Sequence, residues 1–231
     1  ILPRDEAIEI ADLIVLTVPV NALIDELLFV LDSIKSHQVV TDMGSTKGAI
    51  VDAVQNHKNR SRYVASHPMA GTENSGPTAA INNLFDHKVC IICDKEKSDS
   101  DAVELVEKMY EALKMNLKYM DAHQHDIHAA YVSHISHISS FVLAATVLEK
   151  EKDESAILEM AGGGFESTVR LAKSSPEMWT PIFIQNKTNI LEVLDTYIEK
   201  MYSFRNYINR GKYDELNQFM KDANQIKKIL K

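Results

Sequence analysis

Apolar and polar positions fall into short blocks along the first half of the chain and recur at helical spacing along the second. Asp5 to Ala11 reads as a short helix. The run Leu13-Ile14-Val15-Leu16-Thr17-Val18, stopped by Pro19, has the pattern of a central parallel strand buried on both faces. Val20 to Ile34 is an amphipathic helix with Leu23, Leu27, Val30 and Leu31 on one side. Gln38 to Asp42 predicts a strand, Met43 to Lys47 a turn, Gly48 to His57 a helix, and Tyr63 to Ser66 another strand. A strand over Lys88 to Cys93, a charged helix over Ser98 to Leu113 and a strand over Leu117 to Met120 complete this half. Strands alternating with helices imply a doubly wound, mostly parallel sheet.

After Met120 the period changes. Asp121 can cap a long helix running to about Lys150, in which Ile127, Ala130, Tyr131, His134, Ile138, Phe141, Ala145 and Leu148 form one stripe. The charged stretch Glu149 to Glu154 ends it, and short helices flank Gly162-Gly163-Gly164. Pro176 suits the first turn of another helix. Long amphipathic helices fill Asn186 to Asn209 and Tyr213 to Lys231, with Gly211 as the break. The pattern therefore divides the chain at Asp121: an α/β domain over 1–120 and an all-helical domain over 121–231.

Composition narrows the function classes. The 231 residues are 45% hydrophobic and 25% charged, which is ordinary for a globular chain. The net charge of −8 argues against non-specific nucleic-acid binding but leaves an anionic small substrate open, because a few local cations decide that. No apolar run reads as long enough to span a bilayer and no signal-peptide pattern opens the chain, so a cytoplasmic location is expected. Cys90 and Cys93 have C-x-x-C spacing, but in a strand residues three apart point to opposite faces, so two buried, reduced thiols are expected.

Four stretches could carry chemistry. Ser66-His67-Pro68-Met69-Ala70-Gly71-Thr72-Glu73 follows an apolar strand and puts a histidine at its carboxyl end, where open α/β sheets bind ligands. A glycine separates it from Glu73 and lets the chain turn back. Asp42 to Lys47 lies at another strand's carboxyl end, with Gly44 in the turn, the Ser45 hydroxyl, and helix-start amides that attract anions; an ordinary capped turn explains the same residues. Five histidines crowd the third stretch: His123, His125, His128, His134 and His137. At about 100° per residue, His128 and His137 fall on opposite faces, so no metal is expected. Ser133 and His137 share a face and could flank a cleft, while His134 lies on the apolar stripe. In the fourth, Gly162-Gly163-Gly164 leads to Arg170, whose guanidinium could fork onto a carboxylate, and Trp179 follows.

Together these pieces resemble the prephenate dehydrogenase (TyrA) family over essentially the whole chain. The resemblance rests on Asp42 to Lys47, Ser66 to Glu73, Ser133-His134-Ile135-Ser136-His137, Gly162 to Arg170 and Pro176-Glu177-Met178-Trp179, in that order. It implies NAD(P)-dependent oxidative decarboxylation of prephenate to 4-hydroxyphenylpyruvate in tyrosine biosynthesis. It assigns catalysis to His67 and Ser45, with His67 withdrawing the proton of the substrate's C4 hydroxyl. It assigns substrate binding to Arg170, Glu73, Ser133, His137, Gly163 and Trp179, the glycine and the tryptophan approaching from a partner subunit. Pro19, Gly44, Ser45 and Lys47 fall at its cofactor edge, with NAD the commoner cofactor and NADP open. It also implies a homodimer through the helical domain. Two positions depart from the family: Ser136 stands where proline is common, and Ser167 where an acid is common.

No G-x-G-x-x-G occurs in the chain. The fold expected is thus a truncated Rossmann-type sheet followed by a helical dimerisation domain, a fragment lacking the pyrophosphate grip and inactive on its own. Arogenate dehydrogenase, another dehydrogenase of Rossmann plus helical layout, and a non-catalytic dimerisation fragment are the alternatives.

Overall fold

The structure, a computed structural model, describes residues 1–74, 76–152 and 157–229. The first half contains α1 (Arg4–Ile10), β1 (Leu13–Leu16), α2 (Val20–Ser33), β2 (Val39–Asp42), α3 (Gly48–Val54), β3 (Tyr63–Pro68), β4 (Val89–Cys93), α4 (Ser100–Ala112) and β5 (Asn116–Met120). The five strands lie in the order β1-β2-β3-β4-β5. All neighbours are parallel except β3 and β4, which run antiparallel with His67 opposite Ile91 and Pro68 opposite Cys90. That pairing carries β3 two residues beyond Ser66 and fixes the backbone of His67.

Alternation along the strands builds two cores. Val40, Tyr63, Ala65 and Cys93 face Leu23, Leu27 and Leu31 of α2 and Ile50 and Val54 of α3. Val39, Val64, Cys90 and Ile92 face Val106 and Tyr110 of α4. Leu23, Leu27 and Leu31 are fully buried, and each contributes about 2 kcal/mol of burial. Cys90 and Cys93 are free thiols on opposite faces, as their spacing requires. β1 departs from expectation. Among the described residues it is an edge strand, and Leu13, Ile14 and Val15 are only half-buried.

Past Met120 the described residues form no strand. Asp121 caps α5 (Ala122–Ala129), its carboxylate accepting from the amides of His123 and Gln124 at 2.8 and 3.0 Å. The long helix is interrupted: one π turn, Ala130–His134, separates α5 from α6 (Ile135–Glu151). The wider turn shifts the register of the stripe, and Tyr131 and Leu148 end up exposed. By length and composition alone, the 30 residues from Ala122 to Glu151 could cross a bilayer, contrary to the expectation above. Yet this stretch buries His125, Asp126 and His134 in hydrogen bonds to the rest of the fold.

α7 (Gly163–Val169), a tight turn over Arg170–Lys173 and α8 (Pro176–Gln185) follow. Ser175 caps α8, and Pro176 occupies its first turn. Residues Ile1–Lys187 form one compact unit and Thr188–Lys231 another. α9 (Lys187–Asn209) begins at that junction and α10 (Tyr213–Ala223) follows Gly211, whose φ of +62° suits the break. Within the second unit the ring of Phe219 meets Phe204 and Tyr207 at 5.8 and 6.3 Å.

Candidate active site

The first unit holds a cleft of about 530 Å³ whose walls include Ser45, His67, Ser133, His137, Arg170 and Trp179. These residues come from the turn after β2, the end of β3, the π turn, α6, the turn after α7, and α8. The convergence follows from the fold. Parallel β2 and β3 end side by side, and the helical stretch from Asp121 onward packs its first turns against the start of α3.

His67 is nine-tenths buried, with Nδ1 2.8 Å from Nε2 of His125. On its far side, Nδ1 of His125 lies 2.8 Å from Oδ1 of Asp126. The Asp126 carboxylate also accepts from the backbone amides of Lys47 and Gly48 at 2.8 and 2.9 Å. Burial alone would raise the Asp126 carboxyl, but His125 and those two amides outweigh it and hold the group below its ordinary value. Burial, then His125, Lys47 and His134, push His67 well below the ordinary imidazole value, so it is neutral at pH 7.

Beneath this chain lies a second buried network. Asp42 and Lys47 form an ion pair with both side chains fully buried. Asp42 also accepts from Tyr63 Oη at 2.7 Å and from the Gly44 amide at 2.8 Å. Ser66 donates to the Asp42 carbonyl at 2.6 Å and meets the Tyr110 hydroxyl at 2.6 Å. A Cβ on Gly44 would come within 2.9 Å of Leu23 and Asp42, so this turn needs a glycine.

At the mouth, Arg170 Nη1 binds Glu73 Oε2 at 2.7 Å, and half of the arginine side chain stays exposed. The Glu73 backbone amide and then Arg170 hold the Glu73 carboxyl below its ordinary value. His137 stacks on Trp179 with ring centroids 3.5 Å apart, and its Nδ1 lies 3.1 Å from the Ser133 carbonyl oxygen. Trp179 is 7% exposed and packs with Val20 and Ile182 while lining the cleft of its own chain, so it needs no partner subunit to reach it. Gly163 does not line the cleft, and a Cβ there would meet nothing within 4 Å.

The clustered histidines separate. His123 faces Asp52 at 3.2 Å, and His134 is buried against Asn186. Lys47, an expected cofactor ligand, turns its ammonium into the interior instead. Pro19 precedes α2 beside the carboxyl end of β1. The sequence alone places Asp42 only in the turn motif and His125 only in the histidine cluster, and it gives Asp126 no role. One signal was present: Asp126 is the only acid between Ala122 and Leu148, where an isolated carboxylate in a largely apolar helix requires partners.

The family model for the prephenate dehydrogenase nucleotide-binding domain matches residues 3–119, and the model for its dimerization domain matches residues 121–222. The chain is 32% identical to a prephenate dehydrogenase of Bacillus subtilis over 82% of its own length and 52% of the relative's. It is 29% identical to a cyclohexadienyl dehydrogenase of Zymomonas mobilis, covering 98% of this chain and 78% of that one. The chain thus spans about half of the Bacillus relative and more than three quarters of the Zymomonas one. A crystal structure of prephenate dehydrogenase from A. aeolicus, in complex with hydroxyphenyl propionate and NAD+, superposes with a TM-score of 0.89 at 28% identity, covering 100% of this chain and 81% of that one. With both family domains matched along one chain, and Ser45, His67, Ser133, His137, Arg170 and Trp179 lining one cleft, the chain belongs to the prephenate dehydrogenase family.

Proposed function

We propose that the intact protein catalyses the NAD(P)-dependent oxidative decarboxylation of prephenate to 4-hydroxyphenylpyruvate in tyrosine biosynthesis, as a cytoplasmic homodimer joined through its helical domain. Residues 1–120 would form the cofactor domain and 121–231 the helical substrate-binding and dimerisation domain. The observation that carries this reading is that His67, Ser45 and Arg170, far apart in sequence, line one cleft.

An alcohol is a poor hydride donor until its proton is being removed. His67, buried and neutral, is suited to take the C4 hydroxyl proton, and the Ser45 hydroxyl orients that oxygen. As CO₂ leaves and the ring becomes aromatic, the same imidazole returns the proton to the oxygen. Arg170 offers a planar guanidinium to one carboxylate of the dianionic substrate, with Glu73 as its partner until then. Ser133, His137 and Trp179 shape the wall beside the ring, and Gly163 would act only by setting the course of the loop. Bound NAD(P)+ supplies the hydride acceptor. Pro19, Gly44 and Ser45 bring no cation to the sheet edge, a set that suits the positively charged nicotinamide ring of the oxidised cofactor rather than a phosphate. With its ammonium paired to Asp42 and its amide bound to Asp126, Lys47 would serve only by holding the turn in place.

The Zymomonas relative carries a broader name, cyclohexadienyl dehydrogenase, which favours testing arogenate as a second substrate, with an amino group in place of the keto oxygen. Formation of reduced cofactor by the intact protein, followed with prephenate and L-arogenate and with NAD+ and NADP+, tests the reading. Prephenate with NAD+ should give the highest kcat/KM, and His67→Asn should lower kcat by about 10²- to 10⁴-fold. Oxidation of neither substrate would overturn it.

A further inference from the structure

We propose that His125 and Asp126 are positioning residues that set the tautomer of His67 and share the charge it acquires; this deepens the function proposed above and rests on His67 acting as its base. A carboxylate can only accept, so the His125 Nδ1 that faces Asp126 at 2.8 Å must carry the hydrogen. Neutral His125 then presents a bare Nε2. His67 Nδ1, 2.8 Å away, must donate to it. That leaves His67 Nε2 without a hydrogen, on a ring that forms part of the cleft wall, as a base requires. The opposite polarity would need a doubly protonated His125 in a site where only 1% of the residue is exposed.

The chain also handles the proton. When His67 accepts at Nε2, its Nδ1 hydrogen stays shared with His125 Nε2, so part of the positive charge is relayed toward the Asp126 carboxylate. This matters because the other charged and titratable groups facing His67 do not help a cation: Lys47 lies in the turn after β2, His134 in the π turn, and Cys90 across the ladder on β4. Burial pushes the Cys90 thiol up to about 12, which keeps it neutral. Asp126 has a second task. It also holds the amides of Lys47 and Gly48, just after Ser45, so one carboxylate anchors both the base and the hydroxyl loop.

The tautomer can be read without substrate. In the ¹⁵N-histidine-labelled intact protein, the His67 signals, assigned by their loss in His67→Asn, should show Nδ1 protonated and Nε2 bare at neutral pH. A protonated Nε2 with bare Nδ1 overturns the proposal whether or not prephenate is the substrate. Kinetics supplies the second arm. His125→Gln keeps an acceptor opposite His67 and should lower kcat about 10-fold, whereas His125→Leu should cost about 10²- to 10³-fold. Asp126→Asn should lower kcat about 100-fold and move the acid limb of kcat/KM to lower pH, because the imidazolium loses its carboxylate. Equal losses in the two His125 variants, or a folded Asp126→Asn protein with wild-type kcat and acid limb, overturn the relay.

Discussion

Lys47 and Asp42 face each other as a salt bridge from which water is excluded on every side. Such a pair contributes little net stability when intact, but losing one partner strands a charge. Lys47→Met should therefore destabilise the fold by about 3–5 kcal/mol. Lys47→Met combined with Asp42→Asn should recover much of the loss, because the uncharged amide oxygen can still accept from Tyr63 or Gly44. Urea unfolding of the three proteins measures this. Equal stability of the single and double variants would show that the pair is not what holds this turn.

The pH dependence follows from two buried imidazoles. Burial, with His125, Lys47 and His134, lowers His67, and burial first of all brings His134 down to about 4. Both bind a proton more readily in the unfolded chain, near the ordinary 6.5. Their folded-state pKa values are depressed, so their stabilising effect is complete above about pH 6.5 and is lost as pH falls toward the folded values. For His134 this amounts to about 3 kcal/mol between pH 6.5 and 4. Thermal unfolding should show a clear loss between pH 7.5 and 5. The kcat/KM of the intact protein should stay flat through pH 6.5 and fall only below it, where His67 takes up a proton. An acid limb at or above 6.5 would contradict a base held neutral by burial.

The first half of the fold was legible because its signals are local. Val39 and Val40 each supply one face of a two-sided sheet, Pro19 stands between β1 and α2, and Gly44 marks a turn with no room for a Cβ. Asp121 was recognisable as a cap from its own short-range geometry. His67, Ser45, Arg170 and Trp179 were found through motif order, and the fold then brought them to one cleft. His125 and Asp126 were not found, because their meaning depends on contacts 58 to 79 residues away. Lys47 shows the same dependence: the resemblance puts it at the cofactor edge, and only the fold reveals that its ammonium is paired with Asp42. The π turn at Ala130–His134 carries no sequence signature of its own, so the stripe through Tyr131 and Leu148 was read as straight.

Trp179 should separate packing from recognition. It fills the space beside Val20 and Ile182 and lies under His137, yet its buried Nε1 has no hydrogen-bond partner among the described residues. Trp179→Ala opens a cavity and should cost about 3–5 kcal/mol. Trp179→Phe keeps an aromatic surface against His137 and breaks no protein hydrogen bond, so its cost should be under about 1.5 kcal/mol. If substrate or an ordered water uses that free donor, the phenylalanine variant will raise KM several-fold with its melting temperature nearly unchanged. Unaltered KM in Trp179→Phe would restrict the indole to packing.

Arg170 gives the complementary case, a residue whose loss should leave the fold intact. Its partner Glu73 is solvent-accessible, half of its own side chain is exposed, and ion pairs in such surroundings contribute little to stability. Arg170→Lys should keep the melting temperature and raise the KM for prephenate about 10- to 100-fold, because a lysine cannot present two parallel donors to a carboxylate. Glu73→Gln tests the other half of the pair. If Glu73 competes with the substrate carboxylate for the guanidinium, the glutamine variant will bind substrate more tightly. If Glu73 instead holds the guanidinium in its working orientation, it will bind more weakly. Steady-state KM values with prephenate, taken beside melting curves, distinguish the two. A large fall in melting temperature in Arg170→Lys would mean that the arginine serves the fold rather than the ligand.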